Sequence, residues 1–237
     1  MKKLFYCITI LVLVSNLYPN GVHAQTKLLE IDHKKDTIPH TSGPNLKLYT
    51  HFFLGYGFVA GASEPGAKIK YGFSNDLSFG MRRKRKISAL YSLGFDFFYH
   101  VTAFHLVQDS TKILPNGLLH DKEKFKFNMF SLGFYNRFNF DTKRGNYMGN
   151  FIDIGIAGDW NFLINAISKD QVKGGNLIKI RMSKLGYTNP MNYHLYTRIG
   201  FNRFIFTASY RMNDLFKPAY NFPELPRLTA GFEVGFY

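Results

Sequence analysis

The stretch Leu228-Thr-Ala-Gly-Phe-Glu-Val-Gly-Phe-Tyr237 alternates apolar with small or polar side chains and ends on two aromatic residues. A period of two predicts a β-strand with one apolar face. A strand at a sheet edge exposes unpaired backbone groups, whereas a closed barrel has no edge because its last strand pairs with its first. This stretch therefore favours a β-barrel that closes through its final strand.

The N-terminal segment has the features of an export signal. Lys2 and Lys3 precede the apolar run Leu4–Val14, and Ala24 completes a small-residue cleavage motif. We therefore predict a signal peptide over residues 1–24. The apolar run is too short to cross a bilayer as a helix, so an uncleaved N-terminal anchor is the less favoured alternative.

Composition narrows the class of protein. The net charge is +14, a balance often seen in nucleic-acid-binding proteins. Outside Arg82–Lys86 the basic residues are scattered, and no helix-turn-helix or zinc-finger pattern carries them, so lipid surfaces are expected as partners and nucleic acid is not. The one cysteine, Cys7, lies in the signal, so the mature chain is predicted to have no disulfide and no thiolate chemistry.

Residues 25–45 are polar and without periodicity, and we predict a flexible periplasmic leader there. From Leu46 onward, alternation defines eight segments, each with one aromatic or aliphatic face and one face of glycine, serine and occasional charges. A change of phase in the fourth segment predicts a β-bulge near Met129. The segments are Leu46–Val59, Tyr71–Met81, Tyr91–Thr102, Phe125–Phe140, Ile152–Phe162, Tyr193–Phe201, Phe204–Met212 and Leu228–Phe236.

Most segments reach the roughly nine to eleven residues that a tilted strand needs to cross the hydrocarbon. A soluble barrel of lipocalin type, with its apolar face inside, is the alternative, but the polar faces have too little bulk for a solvated exterior. We predict that residues 46–237 form an all-β, eight-stranded, antiparallel, closed transmembrane β-barrel behind the flexible leader.

The connections between the segments alternate in length. The tightest, Asn202-Arg203, belongs to the short set, and this alternation predicts long loops outside and both termini in the periplasm. The long connections are Gly61–Lys68, Val107–Lys124, Asn165–Pro190 and Asn213–Arg227.

On these residues the chain resembles the small outer-membrane β-barrel proteins, the OmpA/OmpX-like eight-stranded group. The resemblance covers Leu46–Tyr237 and rests on alternation, the Ala24 cleavage site and the aromatic C-terminus, none of which is a family-specific motif. In this chain Phe232 and Phe236 are in register while Tyr237 is offset, unlike the group's usual assembly signal. The resemblance implies the outer membrane of a Gram-negative bacterium and assembly by the barrel assembly machinery through the C-terminal strand; we expect a monomer.

Charged residues on the polar faces are predicted to point into the lumen. An eight-stranded interior has room only for side chains, so a salt-bridged plug is expected, with a narrow polar path or a catalytic cluster as alternatives. The predicted lumen charges are Asp76, Asp96, Asp153, Asp159, Glu233, Lys47, Lys126, Arg137, Arg198 and Arg211.

Histidines are the remaining candidates for chemistry. His51, His100 and His194 are predicted to point inward from strands that are not neighbours, so no metal site is expected. Barrel enzymes that modify lipid A use His with Ser, Asp or Glu near the outer rim. Here His100 and Thr102 lie near that rim with Asp96 below, but no His–Ser pair with a carboxylate is present. We predict no catalytic, cofactor-binding or metal-binding residues.

Two further patterns have structural interpretations. The glycine triplets at Gly55–Gly57 and Gly155–Gly158 lack a following helix and are predicted to be packing glycines rather than phosphate loops. The basic run Arg82–Lys86 is predicted to lie in the turn between the second and third strands, either solvated or near anionic headgroups of the inner leaflet.

The expected role is non-enzymatic: envelope structure, or surface recognition through the long loops. The Asn165–Pro190 connection favours an anionic partner such as lipopolysaccharide phosphate. The alternatives are a narrow small-solute channel and a lipid-modifying enzyme acting at the outer rim. The basic residues of that connection, set against Asp170, are Lys169, Lys173, Lys179, Arg181 and Lys184.

Overall fold

The structure, a computed structural model, describes residues 43–142, 145–172 and 175–236. Two 3-10 turns, Tyr71–Phe73 and Pro218–Tyr220, interrupt the loops. In the described ranges no helix has the length and apolar character needed to cross a bilayer. The strands are β1 (Leu48–Ala60), β2 (Asn75–Lys86), β3 (Tyr91–His105), β4 (Lys122–Asn139), β5 (Asn150–Gln171), β6 (Leu177–Ser183), β7 (Met191–Phe201), β8 (Phe204–Arg211) and β9 (Leu228–Phe236).

Eight of these strands form a closed antiparallel barrel, as predicted. Its order is β1-β2-β3-β4-β5-β7-β8-β9, and β9 closes on β1 with Phe236 opposite Phe52 and Leu228 opposite Ala60. The ninth strand, β6, pairs only with the last part of β5. The region predicted as the loop Asn165–Pro190 is therefore largely a β-hairpin that projects beyond the barrel.

The connections differ between the two ends of the barrel. One end, the long-loop end, carries the connections that follow β1, β3, β5 and β8, and the other, the short-turn end, carries those that follow β2, β4 and β7. Their described residues are 61–74, 106–121, 172, 175–190 and 212–227 at the first end, and 87–90, 140–142, 145–149 and 202–203 at the second. The predicted alternation is confirmed. The tightest connection turns at Asn202, whose φ of 57° is left-handed, a conformation that asparagine tolerates better than most residues.

The prediction that Arg82–Lys86 forms a turn is wrong. These residues are the last part of β2, and the turn follows at residues 87–90. Strand alternation sends Arg82 and Lys84 into the lumen, where both are buried, and leaves Arg83 and Arg85 exposed. Only the second pair is placed to meet headgroups at the short-turn end.

The outer wall of the barrel is apolar. On β5 the outward side chains are apolar from Ile152 to Phe162, about eleven residues, which matches the length that a tilted strand needs to cross the hydrocarbon. An apolar exterior rules out the lipocalin-type alternative, whose apolar face points inward. Exposed side chains of this belt include Phe52, Leu54, Phe58, Leu77, Phe79, Leu93, Phe97, Phe130, Leu132, Phe134, Phe138, Ile154, Ile156, Trp160, Tyr193, Leu195, Ile199, Phe206, Tyr210, Phe232 and Phe236.

The predicted irregularity at Met129 is present, but its extra residue belongs to the neighbouring strand. Asn128 pairs with Leu163 and Met129 with Asn161, so the bulged residue is Phe162 of β5. On β4 itself the phase does not change. Phe125 and Phe127 therefore face inward, whereas the predicted change of phase had placed them on the outer face with the other aromatic residues.

Inward glycines leave room for aromatic rings. A Cβ atom added to Gly200 would lie 2.1 Å from the ring of Phe151, and one added to Gly155 would lie 2.6 Å from the ring of Tyr196. Such distances are too short for any side chain, so these glycines are required by packing. The interpretation as a packing glycine is thereby confirmed for Gly155, whereas for Gly158 it is wrong, because a Cβ atom added there would have no atom within 4 Å.

The signal peptide and the leader up to residue 42 lie outside the described residues, and both stay predictions. The last leader residues are described at the short-turn end. There the carbonyl oxygen of Pro44 accepts a hydrogen bond from the amino group of Lys84.

Candidate functional site

A network of arginines and carboxylates fills the middle of the lumen. Arg82 of β2 donates through Nε to Asp96 at 2.9 Å and through Nη2 to Glu233 at 2.8 Å. Asp96 also accepts from Nη1 of Arg198 at 2.7 Å, which joins opposite walls of the barrel. We call the six residues of this chain of contacts the lumen network: Glu233, Arg82, Asp96, Arg198, Asp153 and Arg137.

The network continues toward the short-turn end. Arg198 Nε lies 3.2 Å from Asp153, which also receives two hydrogen bonds from Arg137, at 2.7 and 2.8 Å. The guanidinium carbon of Arg137 lies 3.5 Å from the centre of the Phe151 ring. Three cations and three anions alternate, so the charges compensate one another inside a site from which bulk water is excluded.

Between the lumen network and the long-loop end lies a cluster of two histidines and two aspartates, here called the His–Asp cluster. His100 Nδ1 is 2.9 Å from Asp76, and His194 Nδ1 is 2.9 Å from Asp159. The ring centres of the two histidines are 6.4 Å apart. Asp159 also accepts a hydrogen bond from Ser131 Oγ at 2.6 Å.

His100 and His194 meet although their strands, β3 and β7, are not neighbours in the barrel. The barrel is so narrow that side chains from opposite walls meet, and no pattern along the chain signals such a contact. Asp76, not Asp96, is the carboxylate beside His100 and Thr102. In the part of the chain that the structure describes, no group of three or more His, Cys, Asp or Glu side chains is arranged to hold a metal ion.

An apolar core covers the lumen at the long-loop end. We call it the loop-end core; it combines strand ends with residues from the long loops. Tyr187 packs against it, and burial together with the negative charge of Glu123 raises the pKa of Tyr187 to about 12. The core consists of Val59, Ala67, Ile69, Phe104, Leu106, Leu114, Phe125, Phe127, Met129, Ile164, Ala166, Leu215, Phe216 and Leu225.

The loops that build this core are held by polar contacts. Glu224 accepts from Arg211 at 2.6 Å and from the backbone amide of Leu215 at 3.1 Å, while its own amide donates to Glu64 at 2.7 Å. These contacts tie the β8–β9 loop to the β1–β2 loop. The loops therefore close over the barrel instead of leaving its mouth open.

A cavity of about 110 Å³ lies inside the barrel. Phe127 and Leu215 of the loop-end core line it, together with His100 of the His–Asp cluster and Glu233 of the lumen network. Its volume gives room for several water molecules. Its lining is more apolar than polar, and the polar groups come from the His–Asp cluster, from Glu233 and from Arg211.

Most of the predicted lumen charges are confirmed, and two are wrong. The aspartates, Glu233, Arg137 and Arg198 face the lumen, and Arg211 lies at its upper edge. Lys47 is exposed at the short-turn end, and Lys126 is on the outer face because its neighbours Phe125 and Phe127 take the inner one. The run Arg82–Lys86 supplies the missing inward cations.

The chain is similar to known proteins only in structure and at low sequence identity. No family model matches the chain, and no curated protein matches it. Among solved structures, Ail, the attachment invasion locus protein of Yersinia pestis, is similar at 12% identity, over 82% of this chain and 99% of that chain, with a TM-score of 0.33. A second structure of Ail, in complex with the heparin analogue sucrose octasulfate, shows 10% identity over 81% and 100% of the two chains, with a TM-score of 0.36. These values establish neither a family nor a function for this chain.

Proposed function

We propose that this chain is an outer-membrane β-barrel protein with a non-enzymatic role in envelope structure or surface recognition. The observation that carries the proposal is the combination of an apolar outer belt with a filled lumen. The belt fits a hydrocarbon environment, and the interior offers side chains where a pore would offer water. What remains for interaction with other molecules is the set of long loops and the β5–β6 hairpin.

The channel alternative is disfavoured by two layers of packing. The lumen network crosses the barrel between opposite walls, with Arg82 and Arg137 fully buried. The loop-end core then covers the mouth with residues such as Phe125 and Leu114, both fully buried. A solute would have to displace both layers to cross.

The enzyme alternative has one favourable feature, the His–Asp cluster. A nucleophile needs an adjacent base, yet the hydroxyl of Ser131 donates to Asp159 and not to a histidine. His100 and His194 are also buried beneath the loop-end core, away from any lipid at the rim. A structural role in filling the lumen accounts for this cluster better than lipid modification does.

The proposed partners follow from the location. Lipids of the outer membrane would contact the apolar belt, and lipopolysaccharide is the anionic component that suits a basic surface. We propose assembly by the barrel assembly machinery through β9, and a monomeric state, since the barrel closes within one chain.

Fractionation and gel mobility test this proposal. The mature protein is expected in the outer-membrane fraction, and in detergent gels it should migrate faster unboiled than boiled because a closed barrel resists unfolding. Recovery of the protein in the soluble periplasm, or identical mobility before and after boiling, would refute the proposal.

A further inference from the structure

One face of the projecting sheet is strongly basic. Lys122 of β4 lies directly opposite Lys169 of β5, which in turn lies opposite Lys179 of β6. Two residues further down, Lys124 and Arg181 lie on either side of Ile167 in the same register. We define the basic face as Lys122, Lys124, Lys126, Lys169, Lys179 and Arg181.

These cations lack compensating acids. Within the described residues, none of the six takes part in an ion pair, and Arg181 donates to the amide oxygen of Asn165 at 3.0 Å. Like charges directly opposite each other destabilise a sheet. Burial lowers the pKa of Lys124, and the positive charges of Lys126, Lys169 and Lys179 lower it further.

The nearest carboxylates are engaged elsewhere. Asp170 points to the opposite side of the hairpin, where His120 Nδ1 lies 2.7 Å from it. Asp121 accepts from the backbone amide of Gln171 at 2.6 Å, and Glu123 pairs with Lys112 on the inner face. The acids therefore brace the loop and leave the basic face positively charged.

The basic face continues the lipid-facing wall. On β4 the alternate positions that carry Phe138, Phe134 and Phe130 in the apolar belt carry Lys126 and then Lys124 further along. Lys126 is four residues beyond Phe130, which corresponds to roughly 10 Å above the belt for a tilted strand. Lys126 therefore lies near the polar headgroups next to the hydrocarbon, and the row of Lys122, Lys169 and Lys179 lies four residues further along the strand.

We infer that the basic face binds the phosphate groups of the outer-leaflet glycolipid, lipopolysaccharide, while the acyl chains of the same molecule lie against the belt below. Three strands each contribute a cation, so one phosphate would be contacted from several sides by Lys124, Lys169 and Lys179. The negative charge of the phosphate would offset the repulsion between these neighbouring cations and form charge-assisted hydrogen bonds with them. The basic face points sideways, in the same direction as the lipid-facing wall, so a membrane lipid can reach it. A soluble polymer would instead bind a surface that points away from the membrane. This inference rests on the proposed outer-membrane location.

The test uses the folded full-length protein in a neutral detergent, with lipid A as the probe and native mass spectrometry as the measurement. The triple variant Lys124→Gln/Lys169→Gln/Lys179→Gln should bind lipid A at least about tenfold more weakly, since each basic residue near a lipid surface contributes on the order of 1 kcal/mol. Dephosphorylated lipid A should bind the native protein and the variant equally weakly.

A matched control neutralises three exposed lysines outside the basic face, Lys47→Gln/Lys68→Gln/Lys70→Gln, and should bind lipid A like the native protein. The heat shift in gels verifies that each variant is folded. Equal binding of lipid A by the native protein and the basic-face variant would overturn the inference, and so would equal binding of phosphorylated and dephosphorylated lipid A. Tighter binding of heparin than of lipid A would identify a soluble polyanion as the ligand and also overturn it. Because this assay uses detergent, its failure is separate from a failure of the fractionation test.

Discussion

At the residue scale, Arg198 has the most connected position in the lumen. It contacts Asp96 and Asp153 and is 2% exposed, while its guanidinium carbon lies 4.7 Å from the centre of the Tyr135 ring. Removing one partner of a buried ion pair leaves an uncompensated charge, which costs more than the pair itself contributes. The effect of a substitution should therefore follow the number of buried ion pairs that it breaks, which is two for Arg198 and one for Glu233.

We predict that Arg198→Ala lowers the free energy of unfolding by about 3–5 kcal/mol, because two carboxylates lose a cation. Glu233→Ala should lower the free energy of unfolding by less, since Arg82 keeps its ion pair with Asp96. The measurement is the temperature at which the unboiled band converts to the boiled one. Lys47→Ala, at an exposed position, is the control. An unchanged conversion temperature for Arg198→Ala would contradict the ion-pair account.

At the element scale, the bulge at Phe162 sets which residues of β5 face inward. Below it, Ile154 and Ile156 face outward; beyond it, Ile164 and Ala166 enter the loop-end core. A one-residue shift of register moves every side chain to the other face. Deletion of Phe162 should therefore prevent formation of the fast-migrating folded band.

Phe162→Ala is the matched comparison, because it keeps the extra residue and removes only the ring. That ring stacks on Phe130 with ring centres 4.9 Å apart. Losing this pair should lower the free energy of unfolding by about 0.5–1.5 kcal/mol, in addition to the loss from the smaller buried apolar area. The folded band should persist at a lower conversion temperature. If deletion and substitution behave alike, the bulge does not determine the register.

Alternation along the chain predicts the eight barrel strands and the closure, because membrane and lumen demand opposite side chains at every second position. It does not predict contacts across the lumen. Arg82 is stable inside only because Asp96 and Glu233 come from β3 and β9, and a run of basic residues is otherwise typical of a turn. The inward aromatic residue Phe125 is unpredictable for a similar reason, since the core it joins is built from several loops.

At the scale of the whole molecule, the alternation of loop lengths predicts the orientation, with the β5–β6 hairpin outside. A cysteine at exposed Lys179 should react with an impermeant maleimide on intact cells, and one at Ser88 in the β2–β3 turn should not. Labelling of the cysteine at Ser88 and not of the one at Lys179 would show that the barrel has the opposite orientation.

The lumen is closed at two separate levels, and this predicts its electrical behaviour. The lumen network fills the middle of the barrel, and the loop-end core covers one mouth. The native protein should therefore give no steady current in planar bilayers. Phe125→Ala should remain silent as well, because it thins only the upper layer, whereas the same substitution should lower the conversion temperature by removing a fully buried ring. A steady, ion-selective current from the native barrel would require a continuous water path past Arg82 and Arg198, and would favour the channel over the envelope-structural role.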